Sequence, residues 1–335
     1  MEKIAFISGG TFIYWSSIIL ALAVVTAICF YAATYLAKGG NATGMALAVP
    51  FVAVLSLILG RLVHWYSRTD AYASFGAAMS NFSSGGYALM GAFVACLIVA
   101  SLLRALHLIP SMPKMLDAMA IGGGAGIAVG RLASLFNSSD RGVALPETVG
   151  FPFASAVVND VSGVVENRLA TFMIQSMVTG TIVVLLIVFM LVCSATKRKI
   201  KDGDICLLFL LSYGALQIVC DSTRYDSLFL RSNGFISIVQ IMGLVAMLAP
   251  LVLFSIRMVK VGGFKFWYLA IWIGGAALMG VAAYMEYHVQ RHGDQAAFAY
   301  TVMSLCLVVV VLLGLLIRFI GSPWRKLKAM QKAKI

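Results

Sequence analysis

The sequence predicts an all-α membrane protein, a polytopic transmembrane helical bundle of about nine spans. Of its 335 residues, 61% are hydrophobic and only 11% are charged, and the mean hydropathy is +0.96. Soluble globular domains carry about 25% charged residues. Apolar runs of roughly twenty residues, the length that crosses the hydrocarbon core of a bilayer, recur along the whole chain. These features exclude a soluble class and favour one transmembrane domain.

The candidate spans follow one another at short intervals. The first is preceded by a single lysine and lacks a small-residue cleavage site, so we expect it to be retained rather than removed as a secretory signal. The nine apolar runs cover residues 10–37, 43–66, 85–107, 115–136, 169–195, 204–222, 234–257, 264–286 and 296–320.

Positive charge is distributed unevenly between the loops. With the N-terminus outside, the inner loops and tail carry more than twice as many Lys and Arg residues as the outer loops. Because positive loops stay on the cytoplasmic side, this bias predicts that the N-terminus is out and the C-terminus is in. The net charge of +12 is therefore explained by loops, and we expect no nucleic-acid partner. The basic tail, residues 325–334, is typical of an interfacial helix on anionic membrane lipid.

Cysteine and histidine give no sign of a metal or redox site. All six cysteines lie in or at the ends of hydrophobic segments without CxxC spacing, which is typical of packing residues. His288 and His292 are four residues apart near Glu286, but a third ligand at metal-binding spacing is absent from the sequence. The Gly-rich run after Ile121 lacks the lysine of a phosphate loop. We therefore expect neither a metal nor a cofactor.

Arg131 is the most informative residue because it lies inside the otherwise uncharged second half of the fourth span. A guanidinium at membrane depth is costly unless it is paired or faces a polar cavity, so it is by default a functional-site hypothesis. Gly122, Gly126 and Gly130 share one helix face, which a neighbouring backbone can approach closely. A structural pairing of Arg131 with a loop carboxylate stays open, whereas Asp117, about 21 Å away along the helix, cannot reach it.

The predicted topology places further arginines at the same depth. The second, fourth and sixth spans run outward, so Arg61, Arg131 and Arg224 all lie near the outer leaflet, and the outer loops add Arg141 and Arg168. The planar guanidinium binds phosphate through two parallel hydrogen bonds and stays charged in any environment. Several arginines at headgroup depth therefore indicate recognition of a phospholipid phosphate. For Arg61, snorkelling to the interface is the alternative.

Four stretches, taken in order, resemble the bacterial prolipoprotein diacylglyceryl transferase family. The third is the strongest, because it keeps the family's interval between Asp117 and Arg131 and its Gly-Arg-Leu signature. The likeness covers residues 12–258. The stretches are GRLVHWY at 60–66, FSSGGYALMG at 82–91, Asp117 through GRLASLFN ending at 137, and LLFLLSYGALQIVCDSTRYDS with ISIVQIMG between 207 and 243.

The resemblance implies a transfer reaction at the outer leaflet of a bacterial inner membrane. The family moves the diacylglyceryl unit of phosphatidylglycerol to the thiol of a lipobox cysteine in a secreted preprotein and releases glycerol phosphate. Arg131 and Arg224 would neutralise the departing phosphate, which lowers the barrier because their attraction grows with its charge. The resemblance also implies substrate-binding positions at Tyr14, Trp15, Arg61, Gly85, Gly86, Asn137, Arg168, Asp221 and Gln240.

Several positions depart from the family's pattern. Where the family has His before Gly-Gly, this chain has Ser84, and a serine cannot take a thiol proton near neutral pH as histidine does. His64 is the substitute base in one interpretation and an ordinary interfacial histidine in the other. After Asn137, only Asp140 offers the carboxylate that the family places there. It lies in the longest loop, 137–167, which has no apolar periodicity and is typical of a functional or mobile segment.

The last two predicted spans have no counterpart in the family's core. The chain is therefore predicted to contain a transferase-like core, residues 1–258, and two additional spans with a basic cytoplasmic tail, residues 259–335. Loss of the family's His motivates a second hypothesis, a non-catalytic phospholipid-binding paralogue that docks a partner membrane protein through these spans. A transferase with a different acceptor is the third. A transporter is disfavoured because the two halves show no repeat.

Overall fold

Long apolar helices dominate the computed structural model, which describes residues 3–81, 85–158, 163–229, 236–293 and 295–321. Short 3₁₀ turns at Thr69–Ala71 and Arg131–Leu135 join some of them. The helices and strands are β1 (Ile4–Ser8), β2 (Thr11–Tyr14), α1 (Trp15–Ala37), α2 (Ala42–Ser67), α3 (Phe75–Ser80), α4 (Met90–Ala105), α5 (Met112–Gly130), β3 (Ala154–Val158), β4 (Val165–Leu169), α6 (Thr171–Ala195), α7 (Asp204–Thr223), α8 (Ile238–Gly262), α9 (Trp267–His292) and α10 (Ala296–Ile320).

Eight of the described helices are long and apolar enough to cross a membrane. They are α1, α2, α5 with its 3₁₀ extension, and α6 to α10. The predicted third span corresponds to α4, which has only 16 residues and is shorter than the roughly 20 residues that a bilayer requires. The prediction of a polytopic helical membrane protein is confirmed, while the count of nine spans and the orientation stay predictions.

Two antiparallel hairpins were not predicted. β1 pairs with β2 around Gly9 and Gly10, whose φ angles of +55° and +79° suit a tight turn. The first long helix therefore begins at Trp15 and not near residue 10. β3 pairs with β4 inside the long loop, with Ala154 opposite Leu169. This loop thus contains a hairpin. Its strands include β-branched valines, and their sequences lack helical periodicity.

The described chain divides into two compact units. The first contains the residues up to Phe209 together with those of Thr223–Val239, and the second contains Leu210–Ser222 and the residues from Gln240 onward. In the first unit α5 is the central helix and packs against α1, α4 and α6. In the second unit α9 and α10 pack together and share a core with α7 and α8. This core includes Leu211, Ala215, Met247, Ala282, Met303, Leu307 and Val310.

The predicted glycine face of α5 is confirmed. A Cβ atom built on Gly122 would lie 2.5 Å from the carbonyl oxygen of Ala27, and one on Gly126 would lie 2.8 Å from Ala27 Cβ. Gly130 continues the same face, with its Cβ position 3.4 Å from Ala23. Because a side chain on this face would overlap α1, the glycines let the backbone of α1 approach α5 closely.

The N-terminal half of α5 carries a buried carboxylate, Asp117, that belongs to the scaffold. Its side chain is completely buried and forms an ion pair with Lys38. It also accepts the backbone N–H groups of Gly203 at 2.9 Å and Cys206 at 2.8 Å, at the start of α7. Asp117 therefore caps the N-terminus of α7, where the helix dipole favours negative charge.

Candidate functional site

Two arginines that follow different helices meet at one carboxylate. Arg131 directly follows α5, and Arg224 directly follows α7. Nη1 of Arg131 lies 2.8 Å from Oδ1 of Asp140, and Nη2 of Arg224 lies 2.7 Å from the same oxygen. The structure thus brings together the two guanidinium groups that the sequence predicts to converge. Arg131 lies within the predicted span, as expected, at the point where α5 ends and the 3₁₀ turn Arg131–Leu135 continues the span. It occupies a helix C-terminus, where the helix dipole favours a cation.

Asp140 is fixed from several sides. Its Oδ2 accepts a hydrogen bond from the hydroxyl of Ser134 at 2.9 Å, and its own backbone N–H donates to Oδ2 of Asp226 at 3.1 Å. Oδ1 of Asp226 in turn accepts Nε of Arg224 at 2.9 Å. We refer to Arg131, Ser134, Asp140, Arg224 and Asp226 as the Asp140 cluster. Asp140 is thus a loop carboxylate that pairs with Arg131, the pairing that the sequence analysis kept as an alternative.

Burial and charge act in opposite directions on Asp140. Burial raises the pKa of its carboxyl group, but the neighbouring Arg131 and Arg224 outweigh burial and hold the pKa below its usual range. Asp140 is therefore ionised at neutral pH. An ionised carboxylate keeps the two like-charged guanidinium groups of Arg131 and Arg224 close together.

The turn after Arg131 is shaped by Asn137. Its Oδ1 accepts the N–H of Ser139 at 3.0 Å and the Ser139 hydroxyl at 2.6 Å, which stabilises the turn into Asp140. Just before this turn, Phe136 stacks on the indole of Trp15, with ring centroids 6.1 Å apart. Trp15 therefore lies beside the turn. Tyr14, the last residue of β2, is 45% exposed.

Arg168 reaches the same loop from β4. Its Nη2 lies 2.7 Å from Oε2 of Glu166, and its Nη1 donates to the carbonyl oxygen of Gly142 at 3.3 Å. Its guanidinium lies 4.8 Å from the ring centroid of Tyr225, whose hydroxyl donates to the Ser138 carbonyl at 2.7 Å. Since its charge is already matched by Glu166, Arg168 ties the hairpin to the loop that holds Asp140.

Arg141 is a buried cation that the sequence indicates only as an outer-loop arginine. It follows Asp140 directly and is 3% exposed. Its Nη2 donates to the carbonyl oxygen of Asn137 at 3.0 Å, and its Cζ lies 5.0 Å from the ring centroid of Phe172. The signal that points to it, an arginine in an outer loop of the predicted topology, is shared with Arg168, so the sequence alone does not separate the two.

A second polar group forms around the paired glycines. Arg61 is completely buried, and its guanidinium donates to the carbonyl oxygens of Ala78 at 2.7 Å, Asn81 at 2.7 Å and Gly86 at 3.2 Å. It also bonds to the Gly85 carbonyl. Backbone carbonyls therefore balance the Arg61 charge, and the side chain does not snorkel to an interface. It holds the segment that contains both glycines.

His64 lies beside the same segment. Its Nδ1 is 2.7 Å from the hydroxyl of Tyr72, and a Cβ atom on Gly86 would lie 2.8 Å from His64 Cε1. Gly85 and Gly86 have φ angles of +70° and +76°, which permit this close approach. We refer to Arg61, His64, Tyr72, Gly85 and Gly86 as the Gly86 cluster. Ser84, the residue in the place of the family's His, lies outside the described residues.

Asp221 and Gln240 lie in the second unit. Asp221 is 2% exposed on α7. Nε2 of Gln240 donates to Oε1 of Glu286 at 2.7 Å, and the same carboxylate accepts Nε2 of Gln290 at 3.1 Å and the hydroxyl of Ser222. Gln240 therefore joins α8 to α9. Glu286 was not predicted as a partner of Gln240, although an acidic residue within a span is itself a signal of a polar site.

The Asp140 cluster with Arg141 has the charge of an anion site. Three arginines face two aspartates, which leaves one net positive charge among these buried and half-buried groups of the described chain. Buried guanidinium groups are held in place before a ligand binds, and they attract charge more strongly than groups in water. Such an arrangement stabilises a phosphate, and it stabilises a departing phosphate more than a bound one.

Comparison with known proteins agrees with this chemistry. No curated protein matches the chain. The family model described as prolipoprotein diacylglyceryl transferase matches residues 3–256, a range that includes the Asp140 cluster and the Gly86 cluster and ends before α9. The resemblance to this family is thereby confirmed, and the chain belongs to the prolipoprotein diacylglyceryl transferase family.

Proposed function

We propose that this protein moves the diacylglyceryl group of phosphatidylglycerol to the cysteine thiol of a lipobox in a prolipoprotein. The family is one of transferases in lipoprotein biogenesis, and the lipid donor and the thiol acceptor are our proposal for this chain. The observation that carries it is the convergence of Arg131 and Arg224 on one oxygen of Asp140, at 2.8 and 2.7 Å. Two guanidinium groups that lie this close together are placed to bind the oxygens of one departing phosphate.

The reaction forms a bond between the thiolate sulfur and the terminal carbon of the diacylglyceryl group. The bond from that carbon to the phosphate oxygen breaks, so the phosphate departs with an added negative charge as glycerol phosphate. Arg131 and Arg224 bind this growing charge more strongly than the ground-state phosphate, which lowers the barrier. Removing one such preorganised donor typically costs about 100- to 1,000-fold in rate.

The thiol proton requires a base, and His64 is our candidate. A base at Nε2 requires the tautomer in which Nδ1–H donates to the Tyr72 hydroxyl oxygen, 2.7 Å away. Tyr72 then orients the ring and selects the tautomer. Replacing Tyr72 by Phe would weaken this selection while leaving the imidazole in place. Ser84 and Asp140 stay the other candidate catalytic residues.

The proposed membrane placement follows from where the helices end. Trp15 begins α1, Arg131 follows the end of α5, and Thr171 begins α6, so the residues of the first unit's site lie at helix ends of alternating direction. With the N-terminus outside, these ends face the outer side. We therefore place the site at the outer leaflet of a bacterial inner membrane, where secreted preproteins arrive.

The test is a transfer assay with the full chain in vesicles that contain phosphatidylglycerol. A synthetic lipobox peptide is expected to gain the mass of one diacylglyceryl group, and the same peptide with serine in place of cysteine is expected to gain nothing. Arg131→Ala is expected to abolish the gain. Arg104→Ala is the matched control. Arg104 lies in the last turn of α4, outside both clusters, and donates to the Ile109 carbonyl at 3.3 Å.

The same assay separates the other two hypotheses. A non-catalytic phospholipid-binding protein is favoured by one observation, namely that α9 and α10 lie outside the family match and expose large apolar side chains such as Ile273 and Leu312. It would retain phosphatidylglycerol without forming a product, and this result would exclude our proposal. A transferase with a different acceptor would leave the lipobox peptide unmodified and would consume phosphatidylglycerol only after that acceptor is added.

A further inference from the structure

Arg141 is buried with donors that the described protein does not satisfy. Its Nη2 donates to Asn137, but Nε and Nη1 are buried and have no hydrogen-bond partner among the described residues. The neighbouring Asp140 is occupied elsewhere, since its Oδ1 binds Arg131 and Arg224 and its Oδ2 binds a serine hydroxyl. Native proteins leave few buried donors without an acceptor, so each such group asks for an explanation.

The fold defines where this guanidinium lies. The Arg141 carbonyl accepts the N–H of Tyr225 at 3.2 Å, and the next N–H, of Gly142, donates to the Leu169 carbonyl at 2.8 Å. A Cβ atom on Gly142 would lie 2.6 Å from the hydroxyl oxygen of Thr171, so the chain is closely packed here against the start of α6. With Phe172 beneath one face of the guanidinium, Arg141 is positioned by the start of α6, the hairpin and the chain after α7.

No carboxylate of the described residues forms an ion pair with Arg141. Burial lowers its pKa, while Tyr225 and Asp140 act in the opposite direction. A guanidinium stays protonated at neutral pH even so. The two aspartates of the Asp140 cluster match two of the three arginines, and Arg168 has Glu166. The remaining positive charge therefore resides on Arg141, whose Nε and Nη1 have no acceptor in the part of the chain that the structure describes.

We propose that Arg141 binds a phosphate oxygen of the ligand directly through Nε or Nη1 and thereby selects a phosphate-bearing lipid over the same lipid without phosphate. The shared chemistry is a phosphate oxygen that accepts from a buried guanidinium, whether the phosphate belongs to a lipid headgroup or is free. The inference deepens the proposed function and rests on it for the identity of the lipid. It gives Arg141 a role beside Arg131 and Arg224 as a third contact.

The test is equilibrium binding to the full chain in uncharged detergent, by native mass spectrometry for lipids and by calorimetry for inorganic phosphate. The lipids are phosphatidylglycerol and diacylglycerol, which differ by the phosphorylated headgroup. Arg141→Gln is expected to raise the Kd of phosphatidylglycerol by about 10- to 100-fold, the usual effect of losing a hydrogen bond to a charged group, and to leave the Kd of diacylglycerol unchanged. Arg104→Gln is the matched control and is expected to change neither Kd.

The phosphate arm identifies the source of the phosphate. A weaker binding of both phosphatidylglycerol and inorganic phosphate by Arg141→Gln assigns the contact to the phosphate group itself, and a weaker binding of phosphatidylglycerol alone assigns it to a headgroup that the acyl chains position. Either result supports the proposal. Wild-type affinity of Arg141→Gln for both ligands would overturn it.

Diacylglycerol binding reports whether each variant is folded. If Arg141→Gln loses both lipids, Arg141→Lys decides, because lysine keeps the charge but cannot donate from the Nε position. An unchanged ratio of the two lipid affinities in Arg141→Lys would then overturn the proposal. Turnover is not needed here. Binding that depends on Arg141 without any transfer would refute the proposed function and leave this inference standing, while transfer with binding independent of Arg141 would do the reverse.

Discussion

Two buried carboxylates lie against cations, one in the N-terminal half of α5 and one in the loop beyond its C-terminal end, and they differ in how completely the charges are matched. In the N-terminal half, Asp117 binds Lys38 and two backbone N–H groups at the start of α7, with Asp202 4.0 Å from the same lysine. Beyond the C-terminal end, Asp140 binds two arginines. Arg141 follows it with two buried donors that no described residue satisfies.

The comparison teaches how a scaffold pair differs from a binding site of the same residue types. In the Asp117 pair, by which we mean Asp117 and Lys38, the lysine ammonium also lies near the carboxylate of Asp202. One ammonium thus serves two carboxylates, and the N-terminus of α7 supplies the rest of the positive charge. The Asp140 cluster with Arg141 has three guanidinium groups for two carboxylates. Cations in excess of their partners are what an anionic ligand requires, while a carboxylate saturated by backbone groups leaves a ligand nothing to bind.

The largest expected effect concerns the rate of transfer. Arg131→Lys and Arg224→Lys keep the charge but lose the planar fork, so the rate is expected to fall by about 100- to 1,000-fold. Lys38→Arg makes the converse change in the Asp117 pair and is expected to leave the rate per folded protein unchanged. Initial rates of peptide lipidation at saturating phosphatidylglycerol measure both.

A loss of rate in Lys38→Arg as large as in the two arginine variants would break the comparison. It would mean that the Asp117 pair controls the chemistry and not only the scaffold. Circular dichroism and the elution volume of each variant establish that equal amounts of folded protein are compared.

The next effect concerns stability and separates the two carboxylates. Removing one partner of a buried ion pair typically costs about 3–5 kcal/mol of unfolding free energy, and we expect a loss of this order for Asp117→Asn with no change in lipid affinity. Asp140→Asn is also expected to destabilise, because Arg131 and Arg224 then repel each other. Its affinity for phosphatidylglycerol is expected to be kept or increased, since the freed guanidinium groups can accept the phosphate.

Denaturant unfolding in micelles, followed by lipid binding on the same samples, tests this pair of variants. An affinity loss in Asp140→Asn equal to that of Arg131→Ala would show that Asp140 contributes to the ligand contact itself. An affinity loss in Asp117→Asn would show that the saturated pair reaches the site through the position of α5.

The sequence anticipates the convergence of Arg131 and Arg224 for a simple reason. Both follow apolar spans that run in the same direction, so topology places them at one depth. The partner of Arg131 could be narrowed to a loop carboxylate, because Asp117 is too far along the helix. The sequence could not show that Asp140 is this partner. Asp140 has a left-handed backbone conformation, with φ +58°, and lies between a 3₁₀ turn and an unpredicted hairpin. Such irregular backbone has no periodic signature.

Other partners were hidden for a different reason. The acceptors of Arg61 are backbone carbonyls, which every residue carries, so no residue type in the sequence marks them. The partners of Glu286 come from α7, α8 and α9, and their meeting depends on how these helices pack. By contrast, the glycine face of α5 was predictable, because spacing on a helix alone decides which residues share a face.

A smaller effect tests how firmly α5 is set against α1. A Cβ atom at Gly122 would lie 2.5 Å from the Ala27 carbonyl oxygen, so Gly122→Ala is expected to cost about 1–3 kcal/mol in unfolding free energy. Gly123, the next residue of the same helix, has nothing within 4 Å of its Cβ position. Gly123→Ala is therefore expected to stabilise by about 0.5–1 kcal/mol. Equal effects of the two variants on the unfolding midpoint would contradict the close packing of α1 on α5.

The smallest expected effect is the pH dependence of the stability that Asp140 contributes. Because Arg131 and Arg224 outweigh burial, the folded-state pKa of Asp140 lies below its value of about 3.9 in the unfolded chain. Its contribution to stability is thus fully present above the unfolded-state pKa and is lost only as the pH falls through the lower folded-state pKa. The difference in unfolding free energy between the wild type and Asp140→Asn is expected to be constant from about pH 8 to about pH 5 and to shrink below about pH 4. A difference that already disappears near pH 6 would mean that burial wins over the arginines, and a neutral Asp140 would then no longer hold the two cations together.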